Sequence, residues 1–201
     1  MDRGMKRSCL AASIAVAGLL IFGGLARAEG CAYDRTAMLA MDLDRFDQDA
    51  SGWRTVGQAP GCFLAGAGLI ADYRKAHPNL PLSQADGLRW HEGQLRAMGG
   101  DSQAAIPLLA NANHDGDATN QAYAEATIAF LRHDRPALIA ARQKLSGLPQ
   151  PADFQAGAAA YKAQTGRELS WPPNLDVVDR LLACFDRPYV EAYGGACSPP
   201  R

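Results

Sequence analysis

The chain has 201 residues and nearly balanced charge, 20 Lys and Arg against 21 Asp and Glu. This is the length of one domain, with enough apolar residues for a core that stands without a structural metal. No basic excess or basic patch is present, which disfavours nucleic acid and anionic membrane surfaces as partners.

Residues 1–28 read as a secretory leader. Arg3, Lys6 and Arg7 form a basic start, residues 10–25 are an apolar run, and Ala26, Arg27 and Ala28 form a small-x-small site before Glu29. The apolar run is short for a membrane span, so cleavage is expected, with no span left afterwards. Residues 29–201 would then form a single all-α domain carrying 16 Lys and Arg against 20 Asp and Glu, a net charge near −4. The four cysteines of this part are Cys31, Cys62, Cys184 and Cys197. An even number in an exported chain implies two disulfides. Three pairings exist. The cysteines fall as one N-terminal and one C-terminal pair, so the simplest pairing is Cys31–Cys62 and Cys184–Cys197. No C-x-x-C occurs and no histidine lies near either pair in sequence, which argues against zinc or a redox couple. The expected location is periplasmic or secreted.

Apolar residues at helical spacing predict a first helix over 35–47, with Met38, Leu39, Met41, Leu43 and Phe46 inward. A helical turn at 53–56 and a helix over 62–77 follow. Ser83, with Asp86 three residues on, predicts an N-cap. Two helix hairpins come next, 88–98 with 102–112 and 121–131 with 135–145, spanning about 84–146 in all. Asp134 is placed to cap the last of these helices, with Pro136 in its first turn. Pro107 predicts a late start or a kink in the helix that contains it. Beyond Pro151, a helix over 152–164 carries a small face from Gly157 to Ala160, expected to press closely on a neighbour. Asn174 is read as the cap of a helix over 175–185, and a short helix runs from 187 to 193. The class is all-α, with about seven to eight helices and no strand.

The 86–117 segment resembles a tetratricopeptide repeat, a 34-residue helix–turn–helix unit with small and large residues at fixed places. Gly93 falls on the small position of the first helix and Gly100 with Asp101 on the turn. Ala105, Leu109 and Ala112 fall on the small, large and late small positions of the second. Trp90 stands one place later than the usual aromatic, Arg96 stands where an aromatic is common, and no proline closes the unit. The 120–145 hairpin follows the pattern with a shorter turn and Thr127 in place of the glycine. The resemblance implies antiparallel hairpins stacked as a superhelix, the other arrangement being a right-handed α-α bundle. It also implies a concave wall made by first helices, and a protein or peptide partner in the cell envelope. On that wall would stand Trp90, Gln94, Ala97 and Met98 from one helix and Ala124, Ile128 and Leu131 from the next. A core position for Trp90 is the competing assignment.

Catalytic motifs are sparse. His91 and Glu92 lack the second histidine of H-E-x-x-H, and neither G-x-S-x-G nor a phosphate-binding glycine loop occurs. Two segments echo calcium loops, 47–52 and 111–117, but their twelfth positions hold Gln58 and Ala122 rather than glutamate. Both are expected to be ordinary turns. No metal site and no cofactor is expected. The alternative function is a periplasmic hydrolase on an all-α fold, acting through acidic residues such as Glu92, Asp86 and Glu125.

Overall fold

The computed structural model describes residues 30–112 and 116–197. The leader segment 1–28 and the centre of the second calcium-like turn, 113–115, lie outside the described residues. Within them the protein is all-α: ten α-helices and one π-helical turn, with no strand. They are α1 (Arg35–Leu39), the π turn (Asp44–Gln48), α2 (Arg54–Gly57), α3 (Phe63–Ala76), α4 (Leu82–Met98) and α5 (Ser102–Ala110). Then follow α6 (Ala118–Leu131), α7 (Arg135–Ser146), α8 (Phe154–Thr165), α9 (Leu175–Ala183) and α10 (Tyr189–Gly194).

Neighbours in sequence pack on each other: α3 on α4, α4 on α5, α6 on α7. α9 covers α6 and α7, and α10 turns back from α9 onto α4. The core forms two clusters. Phe46, Trp53, Leu69, Ile70, Tyr73 and Leu88 lead the first, and Leu109, Phe130, Leu138, Leu145, Val178 and Leu181 the second. Small residues let α4 and α5 approach. A Cβ built on Gly93 would sit 2.9 Å from the Leu109 side chain, and Ala105 and Leu109 are fully buried. The hairpin turn between them uses Gly100 at φ +82° and Asp101, whose Oδ1 accepts the Ala104 N–H at 3.2 Å. Asp134 caps α7 in the same way through Ala137 N, at 2.9 Å, as expected.

Both disulfides form with the simplest pairing. Cys31 and Cys62 bridge at a Cα separation of 5.6 Å, and Cys184 and Cys197 at 5.3 Å. By loop-closure entropy these are worth about 4 and about 3 kcal/mol. Such bonds persist in an oxidising compartment. Among the described residues no helix is long and apolar enough to cross a membrane.

Several local expectations are corrected. The helix over 35–47 splits, because the Asp42 side chain accepts the Arg45 N–H at 2.9 Å and starts a new turn. α4 begins six residues before 88, with the Pro81 carbonyl accepting from Ala85 N at 2.9 Å. Ser83 is therefore inside the first turn and caps nothing. α5 starts at Ser102 and runs through Pro107. Asn174 occupies the N-cap place of α9 at φ +64° without a side-chain capping bond. The small face of α8 presses on nothing: no residue of α8 is buried, and a Cβ on Gly157 would meet no atom within 4 Å. The helix is tied down at its start, where the Phe154 ring meets Trp171 edge-on at 5.2 Å.

Candidate functional site: a cleft between α4, α6 and α10

Residues 83, 86, 87, 90 and 94 recur at three- and four-residue intervals, so they share one face of α4. Residues 120, 123 and 124 do the same on α6. Between these faces lies a cleft of about 320 Å3, lined by Ser83, Asp86, Trp90, Gln94, Asn120 and Tyr123 among others, with Asn174 and Tyr193 completing its wall. Tyr193 comes from α10, six residues long and too short to hold its shape alone. The Cys184–Cys197 bridge closes the loop that contains it, and Tyr189 and Ala192 anchor it in the core. Asn174 reaches the cleft from its left-handed corner, a conformation asparagine tolerates better than most residues.

The Trp90 ring is half-buried and packs on Tyr123, with centroids 5.1 Å apart. Gln94 Nε2 points at Tyr123 Oη at 3.5 Å. Burial pushes the Tyr123 hydroxyl well above its usual range, with Tyr189 and Tyr193 nearby adding to the shift. Burial does the same to Tyr189. Both remain protonated donors. Asp86 pairs with Arg89, and Arg89 Nη1 also donates to the Asn111 carbonyl at 2.8 Å, joining α4 to the end of α5. The lining thus offers aromatic faces, hydroxyls and carboxamides, with Asp86 as the only formally charged side chain among the described residues. Such a lining suits an uncharged polar ligand placed against an aromatic wall.

The residues predicted for one concave wall separate. Trp90, Gln94 and Ala124 line the cleft. Met98 and Leu131 line a different depression with His133 and Tyr189, and Ala97 is core, 3% exposed. Ile128 lies in a third, on the outer side with Glu125 and Lys144. The cause of the first separation is α10. It crosses α4 with Tyr193 on the cleft side and Tyr189 on the Met98 side. Asn120, Tyr123 and Tyr193 were not singled out from sequence, and Asn174 was singled out only as a helix cap. Asn120 and Tyr123 carried a signal, since they precede Ala124 by four and one positions on the same helix. Asn174 and Tyr193 carried none.

The acids of the hydrolase alternative also separate. Glu92 is buried and held by Arg74 at 2.5 Å and Arg96 at 3.0 Å. Glu125 pairs with Lys144 at 2.8 Å on the outer face. Only Asp86 reaches the cleft. The 47–52 turn spends its oxygens on protein. Asp47 accepts from Trp53 Nε1 at 2.8 Å and Gln48 Nε2 at 2.7 Å and bonds His91 Nδ1 at 3.0 Å; Asp49 accepts from Ser51 N at 2.7 Å. Burial alone would raise the Asp47 carboxyl, but hydrogen bonds from His91 and Trp53, with Arg54 nearby, bring it below its ordinary value. Arg54 in turn stacks on Trp53 at 4.4 Å. This cluster joins the π turn to α4.

No protein-family model, no curated protein and no solved structure matches the chain.

Proposed function

We propose that the protein is an exported, tetratricopeptide-like helical scaffold, periplasmic or secreted, that binds an extended segment of a partner protein in the cleft between α4, α6 and α10. The observation that supports this reading is Trp90: a large aromatic side chain packed on the edge of the core but left partly exposed in a cleft, backed by Tyr123 and flanked by Gln94, Asn120 and Asn174. Carboxamides present a donor and an acceptor together, matching the N–H and C=O of a peptide unit, and a half-exposed tryptophan backed by a rigid ring is the usual form of an interface anchor. The two disulfides and the leader-like first 28 residues support the exported location.

The test is a comparison of wild type with Trp90→Ala, each immobilised and exposed to a periplasmic extract. The expected outcome is a protein retained by wild type and lost from the variant, with binding weakened by about 2 kcal/mol and melting lowered only modestly. Turnover of a small substrate with no protein retained overturns the reading. So does a Trp90→Ala melting loss as large as that for a fully buried aromatic, because Trp90 would then be core.

A further inference from the structure

Inside a helix, glycine is the least favourable residue after proline, and at two places the reason for keeping one is visible. A Cβ built on Gly66 of α3 would sit 2.3 Å from the Gly57 Cα, and one on Gly93 of α4 would sit 2.9 Å from the Leu109 side chain. Gly87 is different. It lies in the interior of α4, and its backbone is not left-handed. A Cβ built there would meet no neighbouring atom within 4 Å. Neither helix packing nor backbone conformation requires a glycine at this position. The space beside it is the cleft. Gly87 lines that cleft one helical turn before Trp90, and Ala112 and Ala124 line it from the end of α5 and from α6. The lining therefore sets the large rings of Trp90 and Tyr123 beside three residues that carry one methyl group or none. Gly157 has equally open surroundings but stands on α8 and does not line the cleft.

We propose that Gly87 is a specificity-determining residue of the cleft: it keeps open a recess beside Trp90 that takes one large apolar side chain of the bound segment. This rests on the peptide-binding reading above. The side chain is assigned as large because no neighbouring atom fills the space over Gly87. A small residue of the partner would leave that space void and forfeit the contacts of its lining. It is assigned as apolar because Trp90, Ala112 and Ala124 present carbon to it, while the carboxylate next in sequence, Asp86, is buried and already paired with Arg89.

The experiment uses the full exported chain, oxidised and immobilised, and a library of randomised six-residue peptides with both ends blocked. Wild type is expected to retain sequences in which one position is enriched in large apolar residues. Gly87→Leu should melt no lower than wild type, since its Cβ has room and leucine favours the helix. It should bind those sequences at least tenfold more weakly and retain instead sequences with glycine or alanine at the same position. Gly157→Ala, the open glycine outside the cleft, should leave binding unchanged. Equal binding of the retained sequences by wild type and Gly87→Leu overturns the inference and leaves the peptide reading standing. So does weaker binding with no change of preference, or an equal loss in Gly157→Ala, because Gly87 would then not set the size of the recess. Enrichment of lysine or arginine by wild type, or of no residue at any position, also overturns it. A clear fall in melting temperature of Gly87→Leu overturns it too, since the space would then be filled in the free protein. Retention of no peptide removes the peptide reading, and the inference with it.

Discussion

The two halves of the molecule differ in how many charged side chains they bury. In the N-terminal half, from α1 to α4, the carboxylates of Asp47, Asp86 and Glu92 lie inside; Asp47 and Glu92 are tied to side chains from elsewhere in the chain and Asp86 to Arg89 on its own helix. In the C-terminal half the interior is aliphatic and aromatic, with Thr127 the one buried polar side chain among the described residues, and an unpartnered guanidinium nitrogen occurs in each half, Arg54 Nη1 in the first and Arg180 Nε in the second. The difference follows from how much regular structure each half has. Between residues 33 and 62 the chain makes only α1, the π turn and α2, none longer than five residues. Backbone of that kind needs side-chain bonds to fix its path, and Asp47 with His91, Arg35 with Asp72 and Tyr73 Oη with the Met41 carbonyl provide them. α6, α7 and α9 fix their positions mainly by packing, with the ion pairs Lys144–Glu125 and Arg142–Asp179 on their exposed faces.

Four measurements can break or sharpen this contrast. Phe46→Ala should have the largest effect. Phe46 is fully buried and stacked on Tyr73 at 3.7 Å, and its loss should cost about 3 to 5 kcal/mol in urea unfolding. A cost near 1 kcal/mol would mean that the π turn is not part of the N-terminal core. Glu92→Ala comes next. It strands Arg74 and leaves Arg96 only its longer pairing with Asp101 at 3.4 Å, the two arginine side chains being 24% and 25% exposed. Because that exposure lets water relieve them in part, the cost should fall at the low end of the range for broken buried pairs, about 3 kcal/mol. If chemical denaturation finds no change, the N-terminal half is not held by its ionic ties.

Asp47→Asn should cost about 2 kcal/mol near neutral pH, the worth of hydrogen bonds to a charged acceptor. Its signature is the pH dependence. A carboxylate whose pKa is lower folded than unfolded contributes fully above about pH 4, its unfolded value, and loses that contribution as the pH falls through its folded value. Stability of the wild type should drop through this window on acidification, and Asp47→Asn should flatten the slope. A slope identical in the two proteins would assign the acid sensitivity to other groups. Gly157→Ala is the smallest effect and has the opposite sign. With open space around this helical glycine, alanine should raise the melting temperature by the equivalent of about 0.5 to 1 kcal/mol. A fall would show that the α8 face is covered after all.

What could be read early was what local chemistry decides. Asp101 and Asp134 cap their helices because a side-chain oxygen two or three residues from an unpaired N–H has little else to do. Gly93, Ala105 and Leu109 sit at one helix–helix contact because their spacing places them on facing stripes. The candidate site was half legible for the same reason: Trp90 and Gln94 share a face of one helix, and Ala124 lies on the next. Misreadings arose where a residue's partner was distant. The 47–52 segment was expected to be an ordinary turn, and nothing local signalled that His91 would meet Asp47 across 44 positions. The small face of α8 looked like a packing stripe, although nothing lies opposite it.

The amino-acid sequence by itself determined the all-α class, the paired cysteines and the existence of the two central hairpins, since helical period, caps and breakers act within a few residues of each other. Only the tertiary structure decided that α10 folds back across α4. That contact separates Trp90 from Met98 and Leu131 and brings Tyr193 to the cleft. The position of α10 depends on a disulfide and a few buried side chains meeting surfaces about 100 residues away in the chain. No local pattern encodes such a meeting, because its free energy exists only once both surfaces are formed.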